Sequence, residues 1–216
     1  MSKLILFQGD SITDSGRNYE STIFEGYGYV TMVKGMLGLD YPEKYSFMNK
    51  GISGNRIVDV YARIKSDIIN LKPDYLSILV GVNDVWHEFG HKNGTETSKF
   101  EKIYSMLIEE IKEALPDIKI MIFEPFVLKG TATASNNEYE DLYPLFRAEV
   151  EQKAKAAKRI AEKFSLPFIS LQDKFDAVYN PDFPDYWLRD GVHPTAPGHM
   201  LIAREWVKAF EEMRKQ

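Results

Sequence analysis

Ser11 stands where a hydroxyl could be put to chemical use. The apolar run Leu4 to Phe7 reads as a buried strand, and Gly9-Asp10-Ser11 ends it abruptly. A serine at the carboxyl end of a central strand, where a helix begins, sits in the crevice in which open α/β sheets hold their ligands. The first N–H groups of such a helix lack partners and face the serine, ready to receive negative charge. A serine hydroxyl is a poor nucleophile until a base takes its proton, and that base must itself be held and its cation stabilised. Asp190-Gly191-Val192-His193 supplies a carboxylate and an imidazole three residues apart, which one turn or a tight loop can point the same way. Ser11 is thus the candidate nucleophile, His193 the candidate base and Asp190 its orienter. The plainer alternative for Ser11 is a turn serine, or a hydroxyl that binds phosphate.

Residues this far apart meet only if strand ends lie side by side. Residues 45–49, Tyr-Ser-Phe-Met-Asn, read as a second strand, followed by Lys50-Gly51-Ile52-Ser53-Gly54-Asn55. Ile57, Val60, Tyr61, Ile64, Ile68 and Leu71 recur every three or four residues, one buried helix face that Pro73 stops. Tyr75 to Val80 is the continuous apolar run of a strand covered on both faces, and it ends in Gly81-Val82-Asn83-Asp84. A loop is expected over 85–97, then a helix using Phe100, Ile103, Leu107 and Ile111, with Ser98 and Glu101 as a capping box. Ile118 to Phe123 and Leu166 to Leu171 supply the fourth and fifth strands. Further helices are predicted over Gly26–Leu39, from Pro144 through Phe164, briefly over 171–179, and from Thr195 with Leu201, Ile202, Trp206, Val207 and Phe210 buried. Residues 126–143 lack a period and read as a long irregular cover that shapes specificity. Strands alternating with helices imply parallel pairing in a three-layer α/β/α domain spanning 1–216. In the flavodoxin-like order 2-1-3-4-5, the strand ends near Ser11, Gly54 and Asn83 are neighbours at the switch point.

Composition narrows the function. The chain has 216 residues, 44% hydrophobic and 27% charged, enough for one α/β domain with a substantial core. A formal net charge of −5 argues against nucleic acid, which needs a basic face. With no Cys, neither disulfides nor thiolate zinc sites can form. The first apolar run is too short for a secretion signal, and none approaches the roughly 18 residues that span a membrane. A soluble cytoplasmic protein with no membrane partner is the expectation, and the sequon Asn93-Gly94-Thr95 then carries no meaning. Nothing decides between a monomer and a homo-oligomer.

Gly9-Asp10-Ser11, a glycine after the second strand, Gly81-Val82-Asn83-Asp84 and Asp190-Gly191-Val192-His193 resemble the four signature blocks of the SGNH (GDSL-type) hydrolases, in order and across nearly the whole chain. No single block is distinctive; the ordered set is. The resemblance implies a serine esterase with Ser11 as nucleophile, His193 as base and Asp190 orienting it. It also implies an oxyanion hole made of the Ser11 N–H, the Gly54 N–H and the Asn83 side-chain amide. Gly51 is a rival for the glycine, since Asn49-Lys50-Gly51 and Ser53-Gly54 both fit loosely; Gly54 is preferred. A closer similarity is to small carbohydrate acetylesterases of this family, notably intracellular acetylxylan esterases. It is carried by residues 9–14, 49–55, 81–86 and Val192-His193-Pro194. It implies removal of acetyl groups from a small acetylated sugar, xylo-oligosaccharides foremost, with no cofactor. A neutral sugar suits the net negative charge better than an anionic lipid surface does. Activity is expected to fall in acid as His193 takes up a proton.

Other motifs compete. His87-Glu88-Phe89-Gly90-His91 matches the H-E-x-x-H zinc pattern, but Gly90 lies inside it, Asn93-Gly94 follows, and no third ligand is evident. No metal is expected. Gly51-Ile52-Ser53-Gly54 approaches the G-x-S-x-G elbow but has Asn55 where the second glycine belongs. Asp10, Asp84 and His199 read as structural. Arg17, Trp86 and Trp187 are candidates to line the substrate cleft, against partial core packing as the plainer reading. A thioesterase or lysophospholipase with the same triad and a longer acyl pocket is the rival enzyme. A flavodoxin-like module in which Ser11, Thr13 and Ser15 hold a phosphate is the rival of another class, and it leaves Asp190 and His193 without a role.

Overall fold

The computed structural model describes residues 2–20 and 23–215. Its elements in chain order are β1 (Lys3–Gly9), α1 (Ser11–Asp14), α2 (Tyr29–Asp40), β2 (Tyr45–Asn49), α3 (Ile57–Ala62), α4 (Ile64–Asp67), β3 (Tyr75–Leu79) and α5 (Val82–His91). Then come α6 (Thr97–Ala114), β4 (Lys119–Phe123), α7 (Tyr143–Lys163), β5 (Phe168–Ile169), α8 (Gln172–Val178) and α9 (Ala196–Met213). The strands form one sheet, all parallel, in the order β2-β1-β3-β4-β5. This is the expected α/β/α arrangement.

Alternation along each strand divides the core in two. Ile5 and Phe7 of β1, with Tyr75, Leu79, Met121 and Phe123, point to the side covered by α2 and α9, where Trp206 and Phe210 are wholly buried. Leu6, Leu76, Ile78, Ile120 and Ile122 point to the other side, against α3, α6 and α7. Both faces of the central strands are dry, which is why those strands read as unbroken apolar runs. Phe7 lies opposite Asn49 and Gly9 opposite Leu79, so β1, β2 and β3 end at one level and release their loops on the same edge.

Several local expectations need correction. The predicted 85–97 loop is mostly helix, since α5 runs from Val82 to His91. Trp86 and Phe89 both pack on Phe146, with ring centroids 6.4 and 5.7 Å apart, and this burial outweighs the roughly 1 kcal/mol that Gly90 costs against alanine. Glu101 does not close a capping box; α6 starts at Thr97 without a side-chain cap, and Glu101 pairs with Arg159 at 2.6 Å. The single helix expected over 57–71 is broken into α3, α4 and a 3-10 turn. At the first break the Arg63 guanidinium reaches back to the carbonyls of Lys50 and Gly9, at 2.8 and 3.2 Å. The fifth strand is only two residues long. Segment 126–143 is no cover over the cleft. Phe126, Val127 and Leu128 are buried, and the Leu128 and Ala132 N–H groups donate to the Gly191 and Asp190 carbonyls, both at 2.9 Å.

Candidate active site

Ser11 opens α1, immediately past the end of β1. Asp10 caps that short helix, its carboxylate accepting from the Ile12 N–H at 2.9 Å. From the far end of the chain, Leu188 and Pro194 form an antiparallel bridge, and the Arg189 N–H donates to the His193 carbonyl at 3.0 Å. This closes a tight loop carrying both Asp190 and His193. Gly191 has φ +96°, and a Cβ there would fall 2.6 Å from the Leu128 carbonyl oxygen, so the turn demands glycine. Residues 126–133 thereby prop the loop from below.

The outcome is a continuous contact chain. Ser11 Oγ lies 3.0 Å from His193 Nε2, and His193 Nδ1 lies 2.6 Å from Asp190 Oδ2. The other carboxylate oxygen, Oδ1, accepts from the Val192 and His193 N–H groups at 2.9 and 2.8 Å. Burial works to raise the Asp190 carboxyl, yet the His193 ring and these two N–H donors outweigh it and hold the carboxyl at about 2. It is therefore a carboxylate at neutral pH, able only to accept, and it sets Nδ1 as the protonated ring nitrogen.

Ser11 faces a cleft of about 820 Å³ that Gly54, Asn83, Trp86 and His193 also line. Neither the Ser11 N–H nor the Gly54 N–H has an acceptor among the described residues. The Asn83 amide donates one hydrogen to the Asn55 carbonyl at 3.2 Å and keeps the other. Gly51 is elsewhere: its N–H is taken by Asn49 Oδ1 at 2.9 Å, and a Cβ would meet the Asp14 nitrogen at 2.3 Å, beneath α1. Of the suggested lining residues, only Trp86 reaches the cleft, its ring 5.7 Å from that of His193. Arg17 is turned away, donating to the Gly51 carbonyl at 2.7 Å and lying over the Tyr19 ring at 3.9 Å. Trp187 donates its indole N–H to the Val178 carbonyl at 3.0 Å and lines a different groove, with Met200 and Leu201.

Buried polar residues hold this arrangement together. Asn49 donates to the Thr13 and Glu25 carbonyls at 2.6 and 2.8 Å, fixing the underside of α1. Asp14 accepts from the Ser53 N–H and hydroxyl at 3.0 and 2.8 Å, tying the Gly54 loop to the helix that carries Ser11. Neither residue was singled out from sequence, although a polar Asn ending an apolar strand was the available sign. Burial pushes the Asp10 and Asp84 carboxyls up to about 7; Asp84 accepts from the Ile57 N–H at 3.1 Å. Thr13 is buried with its hydroxyl 3.1 Å from that of Tyr29, so it presents nothing to a phosphate. His87 and His91 do share a helix face, ring centroids 6.0 Å apart, but Glu88 accepts from the Gly94 N–H at 3.0 Å. Among the described residues, no group of three or more His, Asp or Glu side chains is placed to hold a metal.

His199 is buried, its Nδ1 accepting from the Tyr29 N–H at 3.2 Å, with Ser15 Oγ 3.4 Å from Nε2. Burial, then the charges of Arg189 and His193, hold it down at about 4, so it is neutral across the working range. A histidine depressed in the folded state binds its proton more readily when unfolded, so acidification from about 6.5 toward 4 must weaken the fold. His199→Gln is expected to lose about 3 kcal/mol less stability than wild type between pH 7 and pH 4, read by denaturant melts. The raised Asp10 and Asp84 titrate with the opposite sign in this window but are common to both proteins, and the difference cancels them.

Comparison with known proteins agrees with this construction. Residues 7–201 match the GDSL-like lipase/acylhydrolase family, and the chain belongs to that family. It is a carboxylic ester hydrolase with serine-esterase architecture. An acetylxylan esterase from Geobacillus stearothermophilus is 35% identical over 98% of this chain and 96% of its own. A crystal structure of that esterase superposes with a TM-score of 0.83 at 33% identity, covering 96% of this chain and 93% of the other. Its solved catalytic mutants replace one serine, one histidine and one aspartate by alanine. A GDSL-like lipase from Parabacteroides merdae superposes at 0.86 with 35% identity, covering 98% and 97%. No helix among the described residues is long and apolar enough to cross a membrane.

Proposed function

We propose that the chain works as one catalytic domain, a serine acetylesterase that removes acetyl groups from sugar hydroxyls, foremost on short xylan-derived oligosaccharides in the cytoplasm. The observation that carries the reading is the contact chain from the Ser11 hydroxyl through His193 to Asp190, at 3.0 and 2.6 Å, on the wall of a cleft. Ser11 Oγ attacks the acetyl carbonyl while His193 Nε2 takes its proton, and Asp190 stabilises the imidazolium. The Ser11 and Gly54 N–H groups and the free Asn83 amide hydrogen receive the oxyanion. His193 then protonates the departing sugar oxygen, and water repeats the cycle on the acetyl-enzyme. The sugar assignment follows the acetylxylan esterase relative.

Two measurements test this. A 4-nitrophenyl ester series should favour acetate over octanoate, and acetate should be released from an acetylated xylo-oligosaccharide. Preference for octanoate would favour the lysophospholipase or thioesterase alternative. Asn83→Ala should lower kcat by about 10²–10³-fold, the typical loss of one oxyanion donor, with KM little changed. A loss felt mainly in KM would remove Asn83 from that role.

A further inference from the structure

The protein carries 32 acidic against 27 basic side chains, and most of its arginines find a carboxylate. Arg56, Arg63, Arg147, Arg159 and Arg214 each have one within 3.0 Å. Among the described residues Arg17 and Arg204 have none, Arg17 bonding a backbone carbonyl instead, and neither has Arg189. Its guanidinium is exposed and makes no hydrogen bond or ion pair with any described residue, although it lines the cleft that Ser11 faces. Among the described residues it is the single permanently charged side chain on that lining; the titratable groups beside it are Tyr27 and all four histidines of the chain, and no Asp or Glu is among them. The nearest carboxylate in sequence, Asp190, already accepts from His193 Nδ1 and two backbone N–H groups. Within an acidic protein, the cleft lining thus carries a cation that no carboxylate of that lining pairs with.

The backbone that carries it is also fixed. The Arg189 N–H donates to the His193 carbonyl at 3.0 Å, inside the turn closed by the Leu188–Pro194 bridge. The arginine therefore rides on the same rigid loop as the base. A carboxylate bound to the guanidinium makes a two-point, charge-assisted contact that a neutral sugar cannot make.

We propose that Arg189 anchors a carboxylate on the substrate, so that the preferred substrate is an acetylated oligosaccharide bearing a uronic acid. This rests on the acetylesterase reading and narrows its substrate class. The same chemistry is offered by an O-acetylated nonulosonic acid, whose carboxylate belongs to the acetylated sugar itself.

The test compares kcat/KM for acetate release from an acetylated xylo-oligosaccharide, its glucuronate-branched counterpart and an O-acetylated nonulosonic acid. Wild type should prefer at least one carboxylated substrate over the neutral one by about fivefold, the scale of a well-formed but partly exposed ion pair. Which one it prefers identifies the source of the carboxylate. The preference should shrink toward one between about 0.02 and 0.5 M NaCl, as the Debye length falls from about 20 to about 4 Å. It should vanish in Arg189→Gln and survive in part in Arg189→Lys. Taking the ratio within each protein cancels any loss of folded enzyme, and the salt series needs no variant. Acetate released from all three with ratios near one, or a preference retained in Arg189→Gln, overturns the role of Arg189 alone. Acetate from none of the three overturns the acetylesterase reading together with it.

Discussion

Ser11→Ala should lower kcat/KM for acetyl esters by about 10⁴–10⁶-fold while leaving the fold intact. The Ser11 hydroxyl makes a single side-chain contact, to His193, on the surface of the cleft. Removing one oxygen there opens no core cavity and leaves no buried group unpaired, so the change in stability should stay within about 0.5 kcal/mol. What disappears is the atom that forms the new bond. The remaining donors, the Ser11 and Gly54 N–H groups and Asn83, are untouched, so residual turnover above the water rate should persist. Initial rates with 4-nitrophenyl acetate, beside a thermal melt, check both parts. A loss smaller than about tenfold would mean that another group attacks.

Asp190→Asn should come close behind, with kcat down about 10⁴-fold at neutral pH. The local geometry dictates which way the amide turns. Two N–H groups, of Val192 and His193, point at the position of Oδ1, so the amide oxygen stays there and the NH₂ group faces His193 Nδ1. Nδ1 must then accept, the ring proton moves to Nε2, and the nitrogen facing Ser11 can no longer take its proton. Histidine tautomers assigned by ¹⁵N chemical shifts should move from Nδ1–H in wild type to Nε2–H in the variant. Asp190 also contributes to acid stability: its folded carboxyl is held at about 2, below the ordinary 3.8, so its contribution is present above that ordinary value and is lost as pH falls toward 2.

The sheet was legible in the sequence because its signals are local and physical. Continuous apolar runs such as Tyr75 to Val80 announce strands covered on both faces, and the alternation with helices leaves few parallel topologies. That Ser11, His193 and Asp190 could meet was legible because a hydroxyl ends a central strand, histidine is scarce with four in the chain, and the motif blocks stand in order. The misses arose where tertiary contacts overrule local propensity. Gly90 and Asn93-Gly94 argued for a loop, yet Trp86 and Phe89 secure α5 against Phe146, a residue far along the chain. Arg17 and Trp187 have suitable chemistry for a sugar cleft, but nothing in a one-dimensional reading says that Arg17 turns toward Tyr19 or that Trp187 bonds Val178. Segment 126–143 looked like a cover because it lacks a period; its Leu128 and Ala132 N–H groups instead pin the Asp190–Gly191 turn. Arg189 escaped notice altogether. A one-dimensional reading does not say that this arginine lines the Ser11 cleft.

The claim on which the rest depends is that the Ser11 oxygen becomes acylated during turnover. Rapid acid quenching of the wild type with excess 4-nitrophenyl acetate, followed by proteolysis and mass spectrometry, addresses it directly. One acetyl group on the peptide carrying Ser11, absent from Ser11→Ala, is the predicted result. Turnover with no acetyl-enzyme under conditions in which deacylation is slowed, or an acetyl group on a different residue that persists in Ser11→Ala, would contradict it.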